Sequence, residues 1–337
     1  MNYGDQFTTA LKIPSTQTHK HRQKCKSDSF FSSEVPMISS LNKVFALARE
    51  SKPIKIAIIA PEDQEFMLAV KKAQKESLID PILLGNPRLI SRAAEKAGLE
   101  YQQSDIIEIM DRQEVADRAL QMLYQGEVRM VSKGQIPTSY IYRSIIRKKK
   151  EVGEGAIVSV ITVWDIRNCD HLVLLTDAGA NIAPNEAQKL EIVDNAINAA
   201  QVLGCSNPRV TELLSDPANL QLKSNLGQGV KTPTIRNHSE SYNLTDATSL
   251  KDLIFTDVDG RLNLNNLPNI LLVPDLNTGN VVVKLDFFIK DITRVSFSHT
   301  QRGPVLLPSR ADTADAIYRE LVFGVGLVNL QQRCIHE

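Results

Sequence analysis

The sequence predicts an α/β fold built on mostly parallel sheets, and three observations carry that expectation. Strand-length segments such as KIAIIAP at 55–61 and NILLVPD at 269–275 are apolar almost throughout, which suits strands covered on both faces. They alternate with helical patterns of 10–16 residues, the signature of units joined by right-handed crossovers. No repeat of 20–50 residues and no run of 18 apolar residues occurs, so neither a solenoid nor a membrane-spanning helix is expected.

Residues 1–36 are rich in Ser, Thr, Gln, Lys and His and lack hydrophobic periodicity, so a disordered tail is expected. They contain no 7–15-residue apolar core, which argues against a secretory signal. SSLNKVFALARE at 39–50 puts Leu41, Val44, Phe45 and Ala48 on one helical face. The strand at 55–61 comes next. A helix at 62–77 follows, with acidic residues in its first turn, where the helix dipole favours them. DPILLG at 80–85 reads as a strand, and 86–98 and 112–125 read as helices. HLVLLTD at 171–177 is a strand leading to a long helix at 184–204. Pro184 is expected at the first position of that helix and Gly204 at its C-terminal cap. PRVTELL at 208–214 is a weaker strand, and 215–249 is a polar, irregular insertion. The strand at 269–275 is followed by VVVKLDFFI at 281–289, apolar again. A last strand is expected at 304–309 and a last helix at 312–327. The expected division is a first domain of 37–150 plus 302–337 and a second of 151–301.

Composition limits the partners. The 337 residues carry 39 Lys+Arg against 39 Asp+Glu, so no field suited to nucleic acid or an anionic membrane is expected. Cys25, Cys169, Cys205 and Cys334 lie far apart without C-x-x-C, which disfavours a disulfide scaffold or a cysteine-rich zinc site and fits reduced thiols in the cytoplasm. His171, His238, His299 and His336 are scattered, with no metal-ligand spacing. GxxxxGK[ST], GxSxG, HExxH and a helix-opening GxGxxG are all absent.

Four segments could carry chemistry. In PVLLPSRADTADAIYREL at 304–321, Ser309 and Arg310 leave a strand and open a helix; the carboxyl end of a parallel sheet and a helix N-terminus both receive anions. The plain alternative is that Ser309 or Asp312 only caps the helix. In KGQIPTSYIYRSII, Lys133 and Gly134 precede a helix capped by Thr138 and carrying Arg143. In LLTDAGANIAP, Asp177 follows a strand and is succeeded by small residues, which suit either a tight turn or a close ligand approach. In VPDLNTGNVVVK, Gly279 and Asn280 follow a strand and suit a turn or a pocket wall.

In order and content these segments resemble the phosphate acetyltransferase and butyryltransferase family, especially its butyryltransferase-like members. The resemblance runs from about Lys55 to Leu327. KGQIPTSYIYRSII is similar to the family's KGxxxTxxxLRAVL, and LLTDAGANIAPNEAQKLEIVDNAI to its LTDAAxNIAPxxxxKxxIxxNAV. LLVPDLNTGNVVVK is similar to PDxxxGNxxxK, and SRAD to TSRADS. The resemblance implies two α/β/α domains around a cleft, of the isocitrate/isopropylmalate dehydrogenase-like kind, and a homodimer or larger homo-oligomer. It implies acyl transfer between a short-chain acyl-CoA and inorganic phosphate, with coenzyme A as substrate and no permanently bound cofactor or metal. Arg310 and Arg143 would then bind phosphate and the oxyanion, with Ser309 and Asp312 beside them. Lys133, Thr138, Asp177, Gly279 and Asn280 would bind substrate.

The sequence also departs from the family pattern. Ser159-Val160 stands where the family has Ser-His, and Asp259-Gly260-Arg261-Leu262-Asn263 where it has DGPLxxD. Ala316 occupies the position, seven after the motif serine, that is acidic in the acetyltransferase branch. Two readings follow: an active phosphate acyltransferase, or a degenerate relative that binds a CoA-like or phosphate ligand, or a protein partner, without turnover.

Overall fold

The apolar run after Pro53 forms β1 (Ile54–Ile59), with five of its six residues buried. It is an inner strand, third from one edge, of one 11-stranded sheet in a computed structural model that describes residues 37–213, 243–244, 264–285, 289 and 291–336. The remaining strands are β2 (Ile79–Gly85), β3 (Ile106–Glu108), β4 (Met130–Lys133), β5 (Ile161–Ile166), β6 (Val173–Thr176), β7 (Arg209–Glu212), β8 (Asn243–Leu244), β9 (Ile270–Leu272), β10 (Ile292–Ser298) and β11 (Val305–Leu306). Their order is β3-β2-β1-β4-β11-β10-β5-β6-β9-β7-β8. All neighbours are parallel except at the centre, where β11, β10, β5 and β6 pair antiparallel. Strands from 54–133 and 305–306 thus form one flank, and strands from 161–298 form the other.

The helices are α1 (Leu41–Arg49), α2 (Gln64–Lys75), α3 (Pro87–Ala97), α4 (Arg112–Gln125), α5 (Thr138–Val152), α6 (Glu186–Val202), α7 (Leu276–Leu285) and α8 (Ala314–His336). Asp63, Asn86 and Asp111 cap α2, α3 and α4 through their side-chain oxygens. Alternate strand residues sort the core into two layers. Ile56, Ile58, Val295, Phe297 and Leu306 pack beneath α1, α2, α3, α6 and α8. On the other face, Ala57, Ile59, Val131 and Val305 pack under α4 and α5, and Val173, Leu175 and Leu271 beside α7.

Several expectations are corrected. The apolar stretch after the strand at 270–272, to which the sequence assigns no element, is helix α7 through Leu285; its β-branched Val281–Val283 run is accommodated because Val282 and Val283 pack against the apolar cluster on the sheet. In α6, Asn185 caps the helix and forms a reciprocal capping box with Gln188, so Pro184 lies outside it. The C-cap is Leu203, and Gly204 follows at φ 81°. Helix α8 starts at Ala314 and continues to His336. Strands β3, β4, β5, β8 and β10 were not expected. Residues 1–36, and 215–249 apart from Asn243–Leu244, lie outside the described residues. Among the described residues no helix is long and apolar enough to cross a membrane.

Candidate functional site

Between α5 and α7, Thr162 of β5 and Arg294 and Ser296 of β10 interrupt the apolar face of the sheet. A cavity of about 310 Å³ lies there, at the small end of ligand pockets. Five residues singled out in the sequence line it together: Lys133 from the end of β4, Thr138 from α5, Asn280 from α7, and Ser309 and Arg310 after β11. Arg294, Ser296, Thr162, Tyr142 and Lys284 join them and were missed. The signal for Arg294 was present. ITRVSFS alternates, with Val295 and Phe297 in the core and Arg294 and Ser296 on the opposite face. Thr162 and Ser296 share a hydrogen bond of 3.0 Å on the floor.

The SRAD segment is a turn rather than a helix start. Asp312 N–H donates to the Ser309 carbonyl at 3.0 Å. Ser309 N–H donates to Asp312 Oδ2 at 2.8 Å, and Ala311 N–H to Ser309 Oγ at 3.3 Å. Thr313 accepts from Ala316 N–H at 3.4 Å and opens α8, so neither Ser309 nor Asp312 caps that helix. Asp312 does not line the cavity. Its Oδ1 lies 3.7 Å from Arg294 Nη2, so it fixes both the turn and a guanidinium. Arg310 is exposed at the mouth.

Lys133 is 4% exposed. Its Nζ donates to the Gly134 carbonyl at 3.2 Å. Gly134 N–H donates to the Ile59 carbonyl at 2.7 Å, and a Cβ on Gly134 would sit 2.3 Å from the Ala60 carbonyl oxygen, so β4 leaves the sheet in contact with the β1 backbone. Burial lowers the Lys133 pKa to about 8; Glu320, Asp312 and Asp63 oppose that shift, and Arg310 adds to it. Glu320, on α8, is raised to about 8 by burial and by Asp312. Its Oε1 accepts from Ser296 N–H at 3.1 Å, and its Oε2 is buried without a partner.

Besides Asp312, three expected site residues stand outside the cavity lining. Arg143 is exposed, its guanidinium 5.2 Å from the Tyr140 ring centroid. Thr138 and Tyr142 share a helix face, and Arg143 is turned roughly 140° from Thr138 at 100° per residue. Asp177 is buried and accepts from the N–H groups of Val160, Gly179, Ala180 and Asn181 and from Asn181 Nδ2, at 2.6–3.3 Å. Burial pushes its pKa up and these donors pull against it; with donors alone around it, the carboxylate acts as the anchor of the 177–181 turn. Gly279 is a packing position. A Cβ there would lie 2.9 Å from Ala178 Cα and from the Asp177 carbonyl oxygen. Gly279→Ala should therefore cost about 1–3 kcal/mol, read as a lowered denaturation midpoint at unchanged slope; an unchanged midpoint would contradict the packing role.

Two other features are separate from this cavity. A larger one, about 620 Å³, is lined by Lys149, Glu154, Glu191, Asn195 and His299 among others, and contains none of the nine expected residues. Cys169, Asp170 and His171 bring three donor atoms within 4.8 Å, contrary to the expected scatter. His171 Nδ1 is 2.8 Å from Asp170 Oδ1, its Nε2 is 3.0 Å from the Leu267 carbonyl, and Cys169 Sγ is 3.5 Å from the Leu264 carbonyl. The three groups thus already have partners.

A family model described as phosphate acetyl/butaryl transferase matches residues 112–216. The phosphate butyryltransferase of Clostridium acetobutylicum is 26% identical over 285 residues, covering 82% of this chain and 94% of that one. The phosphate acetyltransferase of Thermotoga maritima is 24% identical, covering 82% and 95%. In structure, a branched-chain phosphotransacylase from Enterococcus faecalis superposes with a TM-score of 0.62 at 21% identity, covering 82% of this chain and 99% of that one. That likeness shows the fold.

Proposed function

We propose that this chain, a divergent relative of the phosphate acetyl/butyryltransferases, moves a short acyl group between coenzyme A and inorganic phosphate. The two sheet flanks are the two domains, and the cavity between α5 and α7 is the reaction site. The observation that carries this reading is the gathering of Arg310, Arg294 and Lys133 with the neutral donors Ser309, Thr138 and Asn280 around one small pocket. In the forward direction a phosphate oxygen attacks the thioester carbonyl, the tetrahedral oxyanion forms, and the C–S bond breaks to leave acyl phosphate and CoA. Both the nucleophile and the oxyanion are anionic, and fixed guanidinium and hydroxyl donors stabilise them without reorganising. Arg294, held by Asp312, takes the place in the pocket that the sequence had given to Arg143. The reading extends to a cytoplasmic homo-oligomer.

Ala316, where an acid stands in the acetyltransferase branch, favours the second reading, a non-catalytic phosphate or CoA binder. Acyl phosphate trapped as hydroxamate from acetyl-, propionyl- or butyryl-CoA plus phosphate tests the first. Product above an enzyme-free control is expected. No hydroxamate, together with a phosphate- or CoA-induced rise in melting temperature, would select the second.

A further inference from the structure

We propose that Lys133 is the group that exchanges a proton with the sulfur of coenzyme A, and that Glu320 is its positioning residue. This rests on the acyl-transfer reading above. In phosphorolysis the C–S electron pair leaves on sulfur, and the Lys133 ammonium delivers a proton to it, giving the free thiol and a neutral amine. In the reverse direction the neutral amine takes the thiol proton, the sulfur attacks the acyl carbon of the acyl phosphate, and the acyl C–O bond breaks to release phosphate.

The cavity lining offers few other groups for this task. Arg294 and Arg310 present guanidinium groups, which offer hydrogen-bond donors and no acceptor. Burial, with the Asp177 charge, holds the Tyr142 hydroxyl far above its ordinary value. Asp312 is committed to Arg294 and to Ser309 N–H, and Lys284 is exposed. Lys133 differs from them: it is buried, lines the cavity, and spends one of its three N–H bonds on Gly134. Burial brings its proton affinity near the working pH, where a proton-transfer group is most effective. The charges facing it are Glu320 from α8, Arg310 and Asp312 from the turn after β11, and Asp63 from the cap of α2. Glu320 has the strongest effect of the four. It is fixed through Ser296 N–H, and its second oxygen has no partner. The two groups titrate as a coupled pair.

The test is the pH profile of kcat/KM for butyryl-CoA phosphorolysis by the full chain, from pH 6 to 9.5. Phosphate takes its second ionisation on the acid side, and acyl-CoA has no free thiol, so the alkaline limb reports the donor. The wild type should hold its rate below about pH 8 and lose it above. Lys133→Arg keeps the charge but cannot release the proton, so the rate should fall roughly 10²-fold and the limb should vanish. Glu320→Gln removes the charge that holds the Lys133 proton, so its limb should move to lower pH. If Lys133→Arg does not fold, the isosteric Glu320→Gln variant carries the test. An unmoved limb in either variant, with wild-type turnover intact, overturns the Lys133 assignment alone. Absence of wild-type turnover removes the acyl-transfer reading and this proposal with it.

Discussion

Arg310→Ala should lower kcat/KM for phosphorolysis of a short-chain acyl-CoA by roughly 10²–10³, the effect of one lost oxyanion donor, about 2.7–4 kcal/mol. Arg310 stands at the mouth of the cavity, on a turn fixed by two Ser309–Asp312 hydrogen bonds. Its removal should leave the fold intact and reduce kcat together with phosphate affinity. Arg310→Lys should recover only part, because an ammonium keeps the charge but not the two-pronged donor. A loss below tenfold would mean that Arg310 does not hold the reacting oxyanion.

The largest loss of stability is expected from Asp177→Ala. Its carboxylate satisfies four backbone N–H groups and one amide in a buried turn. Leaving them unpaired should cost about 3 kcal/mol or more, since each orphaned donor costs about 1–3 kcal/mol. Asp177→Asn should recover little, because its amide nitrogen would face N–H groups. Chemical denaturation gives the direct reading. A change within 1 kcal/mol would show that water replaces the carboxylate and that the turn is not anchored by it. Ala178 and Gly179 line the cavity, so the same variant should weaken phosphate binding.

The sheet was legible where both faces are covered. Ile56–Ile59 and Leu172–Leu175 are continuous apolar runs because helices lie above and below them. β10 was not legible in that way, because one of its faces floors a polar cavity and so breaks the run with Arg294 and Ser296. α7 was not legible, because three consecutive valines favour a strand locally, while packing with Leu271 and Val273 decides for a helix. At the site, Lys133, Thr138, Asn280, Ser309 and Arg310 belong to segments that a motif can point to. Glu320 does not. It lies 187 residues from Lys133 in a helix that otherwise reads as core, and only the fold brings the two charges together. Arg143 could have been set aside from helical spacing alone. Asp177 and Gly279 look like ligand contacts in sequence because a tight turn uses the same small and acidic residues as a binding loop.

The most direct measurement is arsenolysis. Arsenate replaces phosphate as nucleophile, the acyl arsenate hydrolyses, and CoA thiol accumulates irreversibly, so slow turnover still gives a signal. The purified full chain with acetyl-, propionyl- or butyryl-CoA should release thiol in proportion to enzyme. Release should saturate with arsenate, be inhibited competitively by phosphate, and fall by at least 10²-fold in Arg310→Ala. Thiol release that does not depend on arsenate, or that is unchanged in Arg310→Ala, would contradict acyl transfer to an oxyanion bound in this pocket.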